Sequence, residues 1–97
     1  MKRYFIVSLC KHGILGGGIT ADSEAITYRT GKVTVPKEIR HLEMKYRDIE
    51  TFEPGWMLVF PTVTITMKDC REYKFIVFGR KRMIQTLLEM GVKPIID

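Results

Sequence analysis

Apolar and polar positions alternate most clearly in residues 61–79, PTVTITMKDCREYKFIVFG. Apolar side chains occupy every second position over residues 63–67 and again over residues 73–77, on either side of four turn-like residues at 68–71. A period of two places successive side chains on opposite faces of an extended chain. This stretch is therefore predicted to form a β-hairpin.

The period changes after Gly79, in the segment RKRMIQTLLEMG. Its apolar residues recur at i, i+1, i+4 and i+5, the spacing of one face of an α-helix. They are Met83, Ile84, Leu87 and Leu88. Gly91 and Pro94 predict where this helix ends. We expect it to cover one open end of a barrel, each buried side chain contributing about 1.5–3 kcal/mol.

The rest of the chain carries apolar segments with turn signals about every 8 to 12 residues, which is typical of a sandwich or barrel. Further strands are predicted at residues 4–10, 15–21, 25–30, 42–46 and 56–60. Residues 33–36 are expected to be extended, and residues 37–41 to form a surface loop. In the polar turn 47–50, Ile49 is expected to fill the barrel.

The fifth of these strands, WMLVF, is continuously apolar. Pro54 and Gly55 predict a chain break before it, and residues 61–62 a turn after it. We expect Trp56 to lie in the core. The glycines at 16–18 are expected to allow a bulge or sharp bend, since a phosphate-binding loop would need a lysine and a hydroxyl residue after the last glycine and then a helix.

Length and composition are those of one small globular domain. The chain has 97 residues, 45% apolar and 28% charged, with no linker or repeat. We predict a domain over residues 1–91 and a tail over 92–97, whose isoleucines pack locally or contact a partner. The apolar run after Lys2 and Arg3 is predicted to be a strand rather than a signal peptide. No stretch reaches the roughly 20 apolar residues of a membrane span. We expect a cytoplasmic protein that can bind peripherally to a membrane.

Candidate catalytic groups are few. The chain has two cysteines, Cys10 and Cys70, which is too few for a disulfide framework or a four-ligand zinc site, and they lie far apart in sequence. Free thiols are therefore expected. His12 and His41 lie in separate loops, and no triad or metal-ligand spacing is recognisable. We therefore predict no enzyme activity, no metal and no cofactor. A thiol enzyme using Cys10 with a histidine remains an alternative.

The order of these segments carries a resemblance. GGGIT followed by SEAITYRT, then LEMKYRDIE, then VTITMKDCREYKFIVFGRKRMIQTLL resembles the pleckstrin homology (PH) superfold and its GRAM-like and bacterial PH-like branch, over roughly residues 13–90. The resemblance implies a mainly β, seven-stranded, partly open barrel of two nearly orthogonal antiparallel sheets, capped by the C-terminal helix. It also implies binding of lipid headgroups, peptides or proteins without catalysis. The basic pattern of phosphoinositide-binding PH domains is reduced here to Lys11 and His12.

Charge suggests two candidate binding surfaces in a chain of net charge +5. The loops after strands one, three and six are expected to share one basic side, which also holds Glu38 and Asp69. The opposite side is expected to be acidic, with Asp22, Glu24, Arg47, Asp48, Glu50 and Glu53. The basic loop residues are Lys11, Lys32, Lys37, Arg40, Lys68 and Arg71. The second surface is Arg80, Lys81 and Arg82, in the first helical turn, where the helix dipole disfavours cations.

These patterns predict a non-catalytic PH-like or GRAM-like module that binds a protein partner or an anionic membrane through basic loops. Self-association into a homo-oligomer is the alternative. Nucleic acid is not expected as a partner, because aromatic residues are not interleaved with basic ones on an exposed strand.

Overall fold

A computed structural model of the chain describes residues 2–11, 13–31 and 36–95. The strands in these residues are β1 (Arg3–Cys10), β2 (Ile14–Ala21), β3 (Ala25–Arg29), β4 (His41–Lys45), β5 (Ile49–Met57), β6 (Phe60–Met67), β7 (Glu72–Phe78) and β8 (Lys93–Pro94). The helices are the single turn α1 (Lys37–Arg40) and the longer α2 (Arg80–Glu89), and Tyr46–Asp48 form a 3₁₀ turn. The chain is mainly β with one substantial helix near its C-terminal end.

The strands form one curled, open sheet, a half-barrel, in the order β4-β3-β2-β1-β7-β6-β5-β8. Neighbouring strands are antiparallel except for β5 and β8, which are parallel. Strand β1 joins the two halves of the sheet, because it pairs with β2 along its whole length and with β7 over residues 6–9. The predicted count of seven strands is wrong: the described residues form eight.

The additional strand comes from the segment predicted to be a tail. Lys93 and Pro94 pair with β5, and the backbone N–H of Ile95 donates to the carbonyl of Phe52 at 2.8 Å. Gly91, with a φ of 82°, turns the chain back after α2, and Val92 is buried. The tail therefore covers backbone groups of β5 that would otherwise form an open sheet edge. Ile95 is partly exposed, and Ile96 lies outside the described residues.

The predicted hairpin is confirmed as β6 and β7, paired from Thr62 opposite Ile76 to Thr66 opposite Glu72. The predicted fifth strand, however, is wrong. Strand β5 begins at Ile49, passes through Pro54 and Gly55, and the chain reverses at residues 58–59. Pro54 is tolerated because β8 pairs only with the earlier residues of β5, which leaves that edge free of a partner at the proline.

The core lies between the concave face of the sheet and α2. Its largest fully buried side chains are Tyr28, Phe5, Phe52, Phe75, Leu9, Ile19, Ile26, Met44, Ile65, Met83, Leu87 and Val7. Of the predicted helical stripe, Met83 and Leu87 are buried, Ile84 is half-buried, and Leu88 is half exposed. Thr86 takes the remaining buried position: its hydroxyl donates to the Arg82 carbonyl at 2.8 Å and accepts from Arg3 at 2.7 Å.

Two of the three glycines of β2, Gly17 and Gly18, serve close packing rather than a bulge. The pairing of β1 with β2 is continuous from Arg3 opposite Ala21 to Cys10 opposite Ile14. A Cβ on Gly17 would collide with the carbonyl of Arg29, and one on Gly18 would collide with the phenol of Tyr4. Neighbouring atoms therefore occupy the space that side chains would need.

The structure also differs from the sequence predictions in three smaller features. The expected loop over residues 37–41 forms α1 and the start of β4. Ile49 is buried as predicted, but it begins β5 rather than sitting in a turn. Trp56, predicted to be core, is 63% exposed. Residues 32–35, which include most of the expected extended segment, lie outside the described part of the chain.

Candidate functional site

The tip of the β5–β6 hairpin carries exposed apolar side chains. Leu58 and Val59 form the turn and are 89% and 80% exposed, and Trp56 and Phe60 stand on either side of them. We call Trp56, Leu58, Val59 and Phe60 the tip patch. A short turn at the end of a sheet ordinarily carries polar residues or glycine, so this composition is unusual for its position.

Leu58 also has an unfavourable backbone conformation. Its φ is 56°, in the left-handed region that favours glycine and costs other residues about 1–2 kcal/mol. Hairpin turns place glycine or asparagine at such positions. The turn therefore keeps a large apolar side chain where stability alone favours a small residue, and conformational strain of this kind clusters at functional sites.

The first turn of α2 lies beside the tip patch. The Arg80 guanidinium lies over the Trp56 ring, its carbon 4.6 Å from the ring centroid, and its Nη1 donates to the Gly55 carbonyl at 2.5 Å. Lys81 and Arg82 follow and are exposed, and the Arg82 guanidinium carbon lies 5.1 Å from the centroid of Phe5. We call Arg80, Lys81 and Arg82 the basic turn.

The charge of the basic turn has no carboxylate partner in the part of the chain that the structure describes. The first turn of α2 contains no acidic residue, and the ion pairs found join Arg3 to Glu89 and Arg71 to Asp69. Cations at a helix N-terminus also meet the positive end of the helix dipole. An anion placed there would therefore be attracted both by the side chains and by the helix.

The exposed apolar surface continues from the tip onto the convex face of the sheet. Ile6 of β1 and Phe78 of β7 are paired neighbours, and both are more than half exposed. Extending the β6–β7 register by two residues places Phe60 opposite Phe78. The tip patch and the Ile6–Phe78 pair therefore lie at the same end of β6 and β7, next to the basic turn.

The predicted basic loop residues are spread over several elements. Lys11 lies 5.3 Å from the ring centroid of Tyr73, and Lys37 and Arg40 belong to α1. Arg71 is paired with Asp69 at 2.7 Å, and the Arg71 backbone N–H, more than its guanidinium, holds the pKa of Asp69 below its usual value. Lys32 lies outside the described residues.

Lys68, in the same turn as Arg71, lines a groove that the sequence did not predict. The groove has a volume of about 680 Å³, and the β2–β3 turn, the 3₁₀ turn, the start of β5, the β6–β7 turn and the end of α2 meet in it. Its basic residues are Lys45, Arg47, Lys68 and Lys93, and its acidic residues are Glu24 and Glu50. The sequence placed Lys68 on the side opposite Glu24 and Glu50, but the three residues line one groove.

The candidate catalytic residues of the sequence do not share either of the two grooves in the described residues. His41 lines a shallow groove of about 220 Å³ whose lining includes no cysteine. Cys10 is half-buried and Cys70 is exposed, both as free thiols, and His12 lies outside the described residues. Over those same residues no group of three or more histidine, cysteine, aspartate or glutamate side chains is placed to hold a metal ion. Neither α1 nor α2 is long and apolar enough to cross a membrane.

The sequence did contain signals for the tip patch. Five consecutive apolar residues, WMLVF, follow Pro54 and Gly55 and precede Pro61. Such a run fits a buried strand or an exposed apolar turn, and only tertiary structure separates the two. The groove left no comparable signal, since its residues come from four separate stretches of the chain.

Comparison with known proteins supports the fold alone. No protein-family profile matches the chain, and no curated protein matches it in sequence. Among solved structures, the C-terminal domain of an unknown protein from Leishmania infantum matches with a TM-score of 0.75 and 9% sequence identity. The match covers 91% of this chain and 80% of that one. This chain, a mainly β half-barrel with a C-terminal helix, is therefore similar in fold to that domain.

Proposed function

We propose that this protein is a non-catalytic binding module of PH-like or GRAM-like type that docks on an anionic membrane surface. The tip patch enters the outer part of the leaflet, and the basic turn contacts its headgroups. The observation that carries the proposal is the stacking of Arg80 on Trp56, because it joins an exposed apolar turn to a cluster of unpaired cations.

The two surfaces suit the two layers of a membrane interface. Trp56 carries an apolar ring with a polar N–H, a combination that favours the headgroup level. Leu58 and Val59 project beyond it and are the most exposed large apolar residues described. Moving a fully exposed aliphatic side chain into an apolar layer contributes about 1.5–3 kcal/mol, and each cation near an anionic leaflet about 1 kcal/mol.

Both the apolar insertion and the attraction of the cations to the leaflet are needed, because neither alone is sufficient for stable attachment. Peripheral proteins commonly need two signals, an apolar insertion and a basic patch, for lasting membrane binding. Here the two signals are adjacent, since Arg80 connects the helix to the hairpin by a hydrogen bond and a ring contact. The basic turn was one of the two candidate surfaces in the sequence, and the proposal moves the binding site there from the basic loops.

The strand order supports the PH-like assignment. Strands β1 to β4 are neighbours in one half of the sheet, β5 to β7 in the other, and the helix follows β7 directly. This order resembles the arrangement that the resemblance implies, but β8 adds an eighth strand beside β5, and all eight strands form one sheet rather than two. The resemblance to that superfold implies ligand binding without catalysis.

Sedimentation with vesicles tests the proposal. The wild-type protein is expected to bind vesicles containing about a third phosphatidylserine, more weakly at high salt, and not to bind phosphatidylcholine alone. Leu58→Glu with Val59→Glu should abolish binding, and Lys81→Glu should weaken it several-fold. Ile14→Glu changes an equally apolar exposed residue on β2 and is the matched control. Equal binding by the tip variant and the control would rule the proposal out.

Self-association is a second candidate function, favoured by the exposed pair Ile6 and Phe78 on the convex face of the sheet. A second copy could cover this pair without using Leu58. Light scattering of the wild type and of Ile6→Ser tests it. A monomeric mass for the wild type at high protein concentration would exclude this candidate.

A further inference from the structure

The groove of about 680 Å³ lies at the opposite end of β5 from the tip patch. Ile49 and Glu50, at the start of β5, line the groove, whereas Trp56 stands near the end of the same strand. Helix α2 spans the same distance, from Arg80 beside Gly55 to Met90 in the groove. A ligand in the groove would therefore not compete with a membrane at the tip.

The groove has an apolar floor and a charged rim. Tyr46 and Ile49 are buried, and Met90 is half-buried. The Tyr46 hydroxyl donates to the Asp22 carbonyl at 2.8 Å, and burial raises the pKa of this phenol to about 12, so the hydroxyl stays protonated and already has a partner. An apolar centre surrounded by polar residues is the anatomy of a protein-recognition surface. Methionine adds an adaptable contact to such a floor.

Backbone hydrogen bonds hold the walls of the groove in place. The Tyr46 N–H donates to the Glu24 carbonyl at 3.1 Å, and the Lys68 N–H donates to the Asp48 carbonyl at 2.8 Å. These bonds connect the β2–β3 turn, the 3₁₀ turn and the β6–β7 turn. A preformed groove lowers the entropy cost of ordering a binding surface.

The rim of the groove carries more basic than acidic residues, and no ion pair found among the described residues lies there. Four basic residues face two glutamates, and both ion pairs found among the described residues lie outside the groove. Lys93 follows the end of α2, where the helix dipole favours a cation. The dipole does not account for Lys45, Arg47 or Lys68, which come from other elements.

The spread of charge distinguishes a peptide from a compact anion. A phosphate is held by donors that converge on one point, whereas these cations come from three separate stretches of the chain, at residues 45–47, 68 and 93. A register shift in β5 takes Glu50 out of the regular ladder with β6, and its carboxylate stands among the cations. An extended acidic peptide can place its carboxylates at the separate cations and away from Glu50, which a compact polyanion cannot.

We propose that this groove binds an acidic, extended peptide segment of a partner protein, with one apolar anchor residue on the floor formed by Tyr46, Ile49 and Met90. The carboxylates of the peptide contact Arg47, Lys45 and Lys68. This proposal does not depend on membrane binding, since the two sites lie at opposite ends of β5.

Fluorescence anisotropy with synthetic peptides tests it in the absence of lipid. The probe is a dye-labelled peptide with a leucine between two pairs of glutamates, and the comparison peptides replace the leucine by serine or the glutamates by lysines. Saturable binding of the first peptide is expected, with weaker binding of the serine peptide and none of the lysine peptide. Equal binding of the leucine and serine peptides, or no saturable binding at all, would overturn the proposal.

Two protein variants locate the binding. Arg47→Glu with Lys68→Glu should weaken binding at least about tenfold, whereas Arg29→Glu with Lys74→Glu, which changes total charge equally outside the groove, should leave it within about twofold. Equal losses in both variants would mean attraction to the whole molecule and would contradict a site in the groove. Glu50→Lys provides an opposite test, because it removes a repulsive carboxylate and should strengthen binding.

Discussion

The guanidinium group of Arg80 lies over the indole ring of Trp56, 4.6 Å from its centroid, and donates a hydrogen bond to the carbonyl of Gly55. The two contacts connect the start of α2 to a hairpin 25 residues earlier in the chain. They place unpaired cations beside an exposed apolar turn. The proposed membrane site depends on this connection rather than on either element alone.

Trp56 is the single tryptophan in the chain, so its fluorescence reports directly on the tip patch. Vesicles with phosphatidylserine should shift its emission to the blue, because the 63% exposed ring leaves water. Raising salt from about 0.05 to 0.5 M should reduce the shift, since screening weakens the attraction to the basic turn. An unchanged emission spectrum in the presence of bound vesicles would place the contact elsewhere on the protein.

Leu58→Gly should separate stability from binding. Glycine adopts a φ of 56° without the penalty that leucine has, and the largely exposed side chain contributes few contacts. We expect the free energy of unfolding to rise by up to about 1 kcal/mol while vesicle binding weakens. Urea unfolding and vesicle sedimentation measure the two effects. Val59→Gly is the control, because Val59 is not among the residues with positive φ, and no such gain in stability is expected from it.

Adjacent leucines of α2 should differ sharply in their contribution to stability. Leu87→Ala removes a fully buried side chain and should lower the free energy of unfolding by about 2–5 kcal/mol. Leu88→Ala changes a side chain that is half exposed, and a cost below about 1 kcal/mol is expected. Similar costs for the two variants would mean that α2 is rotated from the orientation described.

The glycines of β2 should also be unequal. Gly17→Ala would bring a Cβ against the Arg29 backbone carbonyl, which cannot move aside without disturbing β3, so a loss of about 1–3 kcal/mol is expected. Gly16→Ala meets no atom within 4 Å and should be neutral or slightly stabilising. Thermal unfolding of the two variants makes the comparison, and a stable Gly17→Ala protein would contradict the close packing of β2 on β3.

Acid should destabilise the protein partly through Asp22. Its carboxylate accepts backbone N–H bonds from Glu24 and Ala25, at 2.8 and 2.9 Å, and these bonds hold the pKa of Asp22 below its usual value. Because the pKa of Asp22 is lower in the folded than in the unfolded protein, its carboxylate stabilises the fold at pH values above the pKa of the unfolded state. This stabilisation is lost as the pH falls through the pKa of the folded state. Asp22→Asn should therefore show a shallower loss of stability below about pH 4 than the wild type in urea unfolding. Parallel pH profiles would assign the acid sensitivity to other carboxylates.

Predictions from the sequence succeeded where neighbouring residues decide the structure. The alternation around Val63 and Phe75 and the helical spacing after Gly79 located β6, β7 and α2. They failed for WMLVF, whose continuous apolarity fits either a buried strand or an exposed turn. Pairing with Phe60 and Pro61 of β6 carries β5 through to Met57, and this pairing is a tertiary contact.

The sequence by itself determined the mainly β class, the β6–β7 hairpin, the C-terminal helix and the identity of the basic turn, because each depends on residues close together in the chain. Tertiary structure alone decided that Trp56 is exposed beneath Arg80, that the tail adds a strand to β5, and that Lys68 shares a groove with Glu24 and Glu50. These features bring together side chains from distant segments. Hydrophobic periodicity records which face of an element is buried but not which other segment covers it.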